Sequence, residues 1–241
     1  MGYGAVVARG RSKAKTTTIT PPDAAPPAPQ RPSIFVSSSV YGSEDLLDSV
    51  YALLEGFGYH VLMSHKGTIP IDPALSAMDN CLAAVRKCHL FLGVIFPWYG
   101  TGILPGELSI THREALLAIE LNKPRWFLVH QHVVTARTLL AWVRDPDKKP
   151  AFALRAGVPE FKKTAVLSDL RVIELYEAAM RNDIEKVANR TSNWVQTVVS
   201  DDEARLFVTA QFLRHREVLE KHLLKLKDIA AIASKIRRDG T

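Results

Sequence analysis

The chain has 241 residues, 47% of them hydrophobic and 23% charged. That balance fits a globular protein with one sizeable core, or a core with an appendage, and excludes a disordered chain. The net charge of +6 sits at the ends: residues 1–31 carry five Lys/Arg against one Asp, residues 214–241 carry eight against four acids, and 18 basic and 20 acidic residues remain between. A nearly neutral body with basic ends argues against a nucleic-acid partner.

In chain order, residues 1–31 are poor in apolar side chains and run into "PPDAAPPAPQRP", a flexible, partly polyproline arm. The pattern changes at Ser33, where "SIFVSS" reads as a buried strand. "SEDLLDSVYALLEGFG" has helical spacing, with Leu46, Leu47, Val50, Leu53 and Leu54 in a stripe, Ser43 as the cap, and Gly56 and Gly58 as the stop. "YHVLMS" is a second strand. "DPALSAMDNCLAAVRKC" predicts a helix capped by Asp72 with Pro73 in its first position.

"HLFLGVIF" is a third strand, apolar almost throughout, as expected of a parallel sheet covered on both faces. A glycine-rich loop, "PWYGTGILPGEL", precedes the helix "SITHREALLAIEL", in which Thr111 and Glu114 have capping-box spacing. Pro124 bars continuation of that helix. "RWFLVH" is a fourth strand, "TARTLLAWVRD" a further helix, and a fifth strand is expected near "TAVL". The β-α-β-α alternation with short links predicts an α/β fold: a doubly wound parallel sheet of four to five strands.

The tail is helical. "SDLRVIELYEAAM" carries an apolar stripe, and the last segment starts at a capping box of Ser200 and Glu203. Phe212, Leu219, Leu226 and Ala233 recur every seven residues, a seam suited to packing on the body or on a second copy. The expected organisation is an arm over 1–31, an α/β domain over 32–185 and a C-terminal helical extension over 186–241, whose helices are the expected route to a homo-oligomer or another protein partner.

Cys81 and Cys88, seven apart on one predicted helix, are too distant for a disulfide and suit a reduced, cytoplasmic protein. No Cys/His spacing suggests zinc, so no metal is expected. No apolar run approaches the ~20 residues of a membrane span, and the N-terminus lacks an apolar signal core, so no membrane partner is expected either.

Open parallel sheets bind ligands beyond the C-terminal strand ends, where strand order reverses. Ser37, Ser38, Ser39 and Tyr41 follow the first strand. His65–Gly67 follow the second, and Trp98, Tyr99 and Gly100 the third, with Thr111 and Glu114 just beyond. None of these loops matches a Rossmann or Walker pattern. The serines offer hydroxyls and amides to an anion, or turn and cap chemistry. Trp98 and Tyr99 offer flat faces for a base, or cover for the sheet edge. Gly93, Gly100, Gly102 and Gly106 permit close backbone approach or tight turns. His130 and His132 share one side of a strand end, and His89 opens a buried strand; structural roles suit all three.

The blocks "IFVSSSVYGSEDLLDSVYALLEGFGYHVL", "CLAAVRKCHLFLGVIFPWYG" and "SITHREALLAIELNKPRWFLV" together resemble the bacterial domain-of-unknown-function family 4062. That family is similar to Toll/interleukin-receptor (TIR) domains and nucleoside deoxyribosyltransferases. The resemblance implies a TIR-like, flavodoxin-like sheet of order 2-1-3-4-5. It further implies an enzyme that cleaves the N-glycosidic bond of NAD or a related nucleotide, often in antiphage defence, with NAD as substrate and no cofactor. Glu114 matches the family's catalytic glutamate. Ser37, Ser38 and Tyr41 would then line the ribose or phosphate side and Trp98 and Tyr99 the base side, with Ser39, Gly100 and Thr111 also among the ligand-binding residues. Leu46 and Leu47 stand where the family has an acidic residue and an arginine, and His89 where it has an aspartate. A non-catalytic TIR-like module for nucleotide sensing or assembly is the alternative.

Overall fold

A computed structural model describes residues 31–39, 42–100, 107–148, 152–164 and 166–213. The N-terminal arm, Tyr41, Gly102, Gly106 and the helical seam beyond Leu213 lie outside the described residues.

Five parallel strands form one sheet: β1 (Ser33–Ser38), β2 (His60–Leu62), β3 (Leu90–Ile95), β4 (Arg125–His130) and β5 (Asn193–Val198), in spatial order 2-1-3-4-5. Among the described residues six α-helices accompany them: α1 (Glu44–Gly56), α2 (Ala77–Lys87), α3 (Ile110–Glu120), α4 (Gln131–Leu140), α5 (Arg171–Met180) and α6 (Asp201–Val208). This is a flavodoxin-like α/β fold. Among the described residues no helix is long and apolar enough to cross a membrane.

Period-2 alternation in the strands divides the core into two layers. Phe35, Phe91, Phe127 and Val129 face α2, α3, α4 and α5. Ile34, Val36, Leu90, Leu92 and Leu128 face the stripe of α1 and the inner residues Ala204 and Val208 of α6. Of the predicted α1 stripe, Leu46, Leu47, Val50 and Leu54 are buried. β3 is buried along its whole length, as its unbroken apolar run requires. Gly93 pairs with Ser37 in register and is fixed by packing: a Cβ there would stand 2.6 Å from the Phe127 ring. It opens space for an aromatic ring, not for a ligand.

The fifth strand is not at "TAVL". Thr164 accepts a turn bond there from the Leu167 amide, and the strand is "NWVQTV", pairing with β4 from Arg125↔Asn193 to His130↔Val198. Its exposed, irregular burial reflects its place at the sheet edge. The sheet therefore takes its last strand, and its outer helix α6, from beyond residue 185. Asp72 does not cap α2. The helix starts four residues later, where Ser76 accepts from the Asp79 amide, and Asp72 closes a preceding turn by accepting from the Ala74 amide. Ser43 stands at the start of α1 without a side-chain cap bond, its hydroxyl donating to the Ser39 carbonyl. The capping box at Ser200 forms with one change: Ser200 Oγ accepts from the Glu203 amide, while Glu203 reaches the amide of Val199. α4 begins directly at the end of β4, ahead of the predicted start.

Candidate functional site

The C-terminal ends of β1 and β3 lie side by side, with α3 running across them. Ser109 caps α3, its hydroxyl accepting from the His112 amide at 3.2 Å. The predicted capping box at Thr111 therefore does not form. Starting the helix two residues earlier carries Glu114 out of the capping position and turns it inward, on the face of α3 that contains the buried Ala115 and Ala118.

Glu114 is 4% exposed. Ser37 Oγ donates to its Oε2 at 2.5 Å, linking α3 to β1. The Cys81 thiol of α2 also acts on this carboxyl. Among the described residues no cation acts on it, so burial dominates and pushes the carboxyl up to about 7, with Ser37 and Cys81 opposing. The thiol answers in kind. Burial first, then the neighbouring carboxyl, push Cys81 up to about 12. A carboxyl in this state holds both protonation forms near neutral pH, which is what acid–base or charge-stabilising chemistry needs.

The other predicted residues take varied places. Ser38 donates to the Ser39 carbonyl and Ser39 Oγ to the Trp98 carbonyl, so both tie the strand-end loops together. Gly100 has a φ of +74°, and a Cβ on it would stand 3.6 Å from Ser39 and 3.9 Å from Ser109, placing it at the same edge. Thr111 lines a cavity of about 10 Å³ with Ser39, Trp98, Tyr99 and Ser109. Trp98 is partly exposed, with the Lys163 ammonium 5.6 Å from its ring centroid.

Tyr99 is not a free face for a base. It is 6% exposed, its hydroxyl accepts from the Ser109 amide at 3.3 Å, and it shares a hydrogen bond with His112 Nδ1 at 2.8 Å. The Arg171 guanidinium covers its ring at 4.5 Å. Burial, and then the Arg171 charge, hold His112 down at about 4, so this histidine stays neutral. Sequence reasoning missed His112, Cys81 and Arg171. Their place three to five residues from a cap, or on another helix, carries no motif.

His89 and His130 hold elements of the fold together. His89 Nδ1 accepts from the Ser33 amide at 3.0 Å, joining the bases of β1 and β3. His130 caps α4 by accepting from the His132 amide at 3.1 Å. Among the described residues no three His, Cys, Asp or Glu side chains group as a metal site. Cys81 and Cys88 are buried and free.

The sequence profile described as "Domain of unknown function (DUF4062)" matches residues 33–185, which is more than half of the chain. The chain belongs to the DUF4062 family. No curated protein matches it. The matched span of this DUF4062 chain contains Ser37, Cys81, Tyr99, His112 and Glu114, and ends before β5.

Proposed function

We propose that the chain is a TIR-like nucleotide-processing enzyme that cleaves the N-glycosidic bond of NAD or a related nucleotide, with Glu114 as the reacting carboxyl. The observation that carries this reading is one carboxyl, buried with no cation against it among the described residues and held by a serine hydroxyl, at the edge where an open parallel sheet reverses strand order. Breaking the C1′–N bond builds positive charge on the ribose, and an ionised carboxylate in a low-dielectric setting stabilises it. Nicotinamide leaves with the bonding electron pair and is neutral on departure, so no second acid is required. Water adds at C1′ and releases one proton, which a group poised near neutral pH can take up. Trp98 supports the base side. A role in bacterial antiphage defence belongs to the same proposal.

A second reading has its own observation. Glu114 is almost fully covered, and the neighbouring cavity of about 10 Å³ has room for about one water and is too small for a nucleotide. That closed edge favours a non-catalytic module for sensing or assembly. Calorimetric titration of the protein with NAD, NADP and free nucleosides, followed by chromatography of each mixture for released base, separates the two. Release of base supports the enzyme. Saturable heat with every ligand recovered intact refutes it in favour of the module.

A further inference from the structure

Three buried side chains from three elements meet at Glu114: Ser37 from β1, Cys81 from α2 and Glu114 itself from α3. Ser37 is 2% exposed, and its main chain is anchored by pairing with Gly93 of the fully buried β3. Its hydroxyl thus starts from a rigid strand and reaches Oε2 at 2.5 Å, the geometry of a charge-assisted bond. A serine hydroxyl has one proton, and here it goes to Glu114. The sequence placed Ser37 among the ribose-binding groups; in the structure it faces the carboxyl.

We propose that Ser37 is a positioning residue: it holds the Glu114 carboxyl in place and favours its ionised form, with the Cys81 thiol as a lesser neighbour. Among the described residues, the side chains that act on this carboxyl are Ser37 and Cys81, both neutral. Deleting the Ser37 hydroxyl removes that bond from a buried acceptor. The catalytic meaning of this positioning rests on the function proposed above; the positioning itself does not.

The test titrates Glu114 directly. Protein carrying ¹³C-carboxyl-labelled glutamate is followed by NMR across pH, with the Glu114 resonance assigned by its loss in Glu114→Gln. In Ser37→Ala the midpoint rises by about one unit, in Cys81→Ala by less, and in Ser37→Thr, which keeps the hydroxyl, it stays within a few tenths. A folded Ser37→Ala protein with the wild-type midpoint overturns the proposal. Should that variant fail to fold, Ser37→Cys replaces the hydroxyl by a weaker donor and is expected to raise the midpoint by about half a unit; no rise there overturns the proposal equally. With NAD, Ser37→Ala should lower kcat about tenfold or more with KM within twofold, and Ser37→Thr should recover most of kcat. A shifted midpoint in a protein that never cleaves NAD refutes the catalytic reading and supports the positioning. Cleavage with unshifted midpoints refutes the positioning alone.

Discussion

Replacing Glu114 by Gln should change how stability depends on pH, with a sign and size set by two buried groups. The folded protein holds Glu114 at about 7 against an ordinary 4.5, through burial. Between those values the unfolded chain ionises and the folded chain does not, so stability falls as pH rises, by about 3 kcal/mol in all. His112 acts in the opposite sense. Burial holds it at about 4 against 6.5, so the unfolded chain takes up a proton first as pH falls, and stability rises with pH across that window by a similar amount. The two slopes overlap and largely cancel in the wild-type protein between about pH 4.5 and 6.5. Glu114→Gln removes only the falling slope. Urea unfolding followed by tryptophan fluorescence, repeated from pH 4.5 to 7.5, should give a variant that gains about 2.5 kcal/mol relative to the wild type between pH 4.5 and 7, the shifts of His130 and other groups being common to both. Salt-bridged carboxylates such as Asp169 and Asp183 are common to both proteins and drop out of the difference. Parallel profiles would show that Glu114 titrates as an ordinary exposed carboxyl, and would sink the reasoning about its burial.

Three further outcomes follow from the same geometry. Ser109→Ala should lower unfolding free energy by about 1 kcal/mol through loss of the α3 cap, and Thr111→Ala by much less, since Thr111 does not cap the helix; equal losses would restore the capping box. Gly93→Ala should destabilise by about 1–3 kcal/mol in urea unfolding, because the added carbon falls within 2.6 Å of the Phe127 ring on a fully buried strand. Cys81 and Cys88, both buried with thiols pushed up to about 12 and about 11, should resist a thiol-labelling reagent at pH 8 in the folded protein. Both should react at once in denaturant, and rapid labelling without denaturant would show that the α2 layer opens.

The parallel sheet was readable because its signals are local. Unbroken apolar runs at β1, β3 and β4, separated by amphipathic segments, admit few other arrangements. β5 was misplaced because an edge strand buries little: Trp194 is 57% exposed, so "NWVQTV" lacks the run that marked the others. The α2 start was misplaced because Asp72-Pro73 satisfies turn chemistry as well as cap chemistry, and only the bonds to Asn80 and Ser76 decide between them. Glu114 itself was legible by position: helix start, glycine-rich loop, predicted ligand edge. Its partners were not, because Ser37 lies 77 residues away and Cys81 on a different helix, and such contacts leave no spacing to read. Tyr99 shows the converse limit. Next to Trp98 in sequence it looks like a second aromatic platform, and only the structure shows its hydroxyl committed to His112.

The central claim is that Glu114 acts on an N-glycosidic bond, and nicotinamide release from NAD tests it most directly. Wild-type protein and Glu114→Gln, each shown to be folded at the assay pH, are incubated with NAD over a range of protein concentrations, and free nicotinamide is quantified by chromatography. The account predicts release by the wild type that increases with time and enzyme, and a loss of at least a hundredfold in the variant. Equal release by both proteins, or none by the wild type at any concentration, would contradict it.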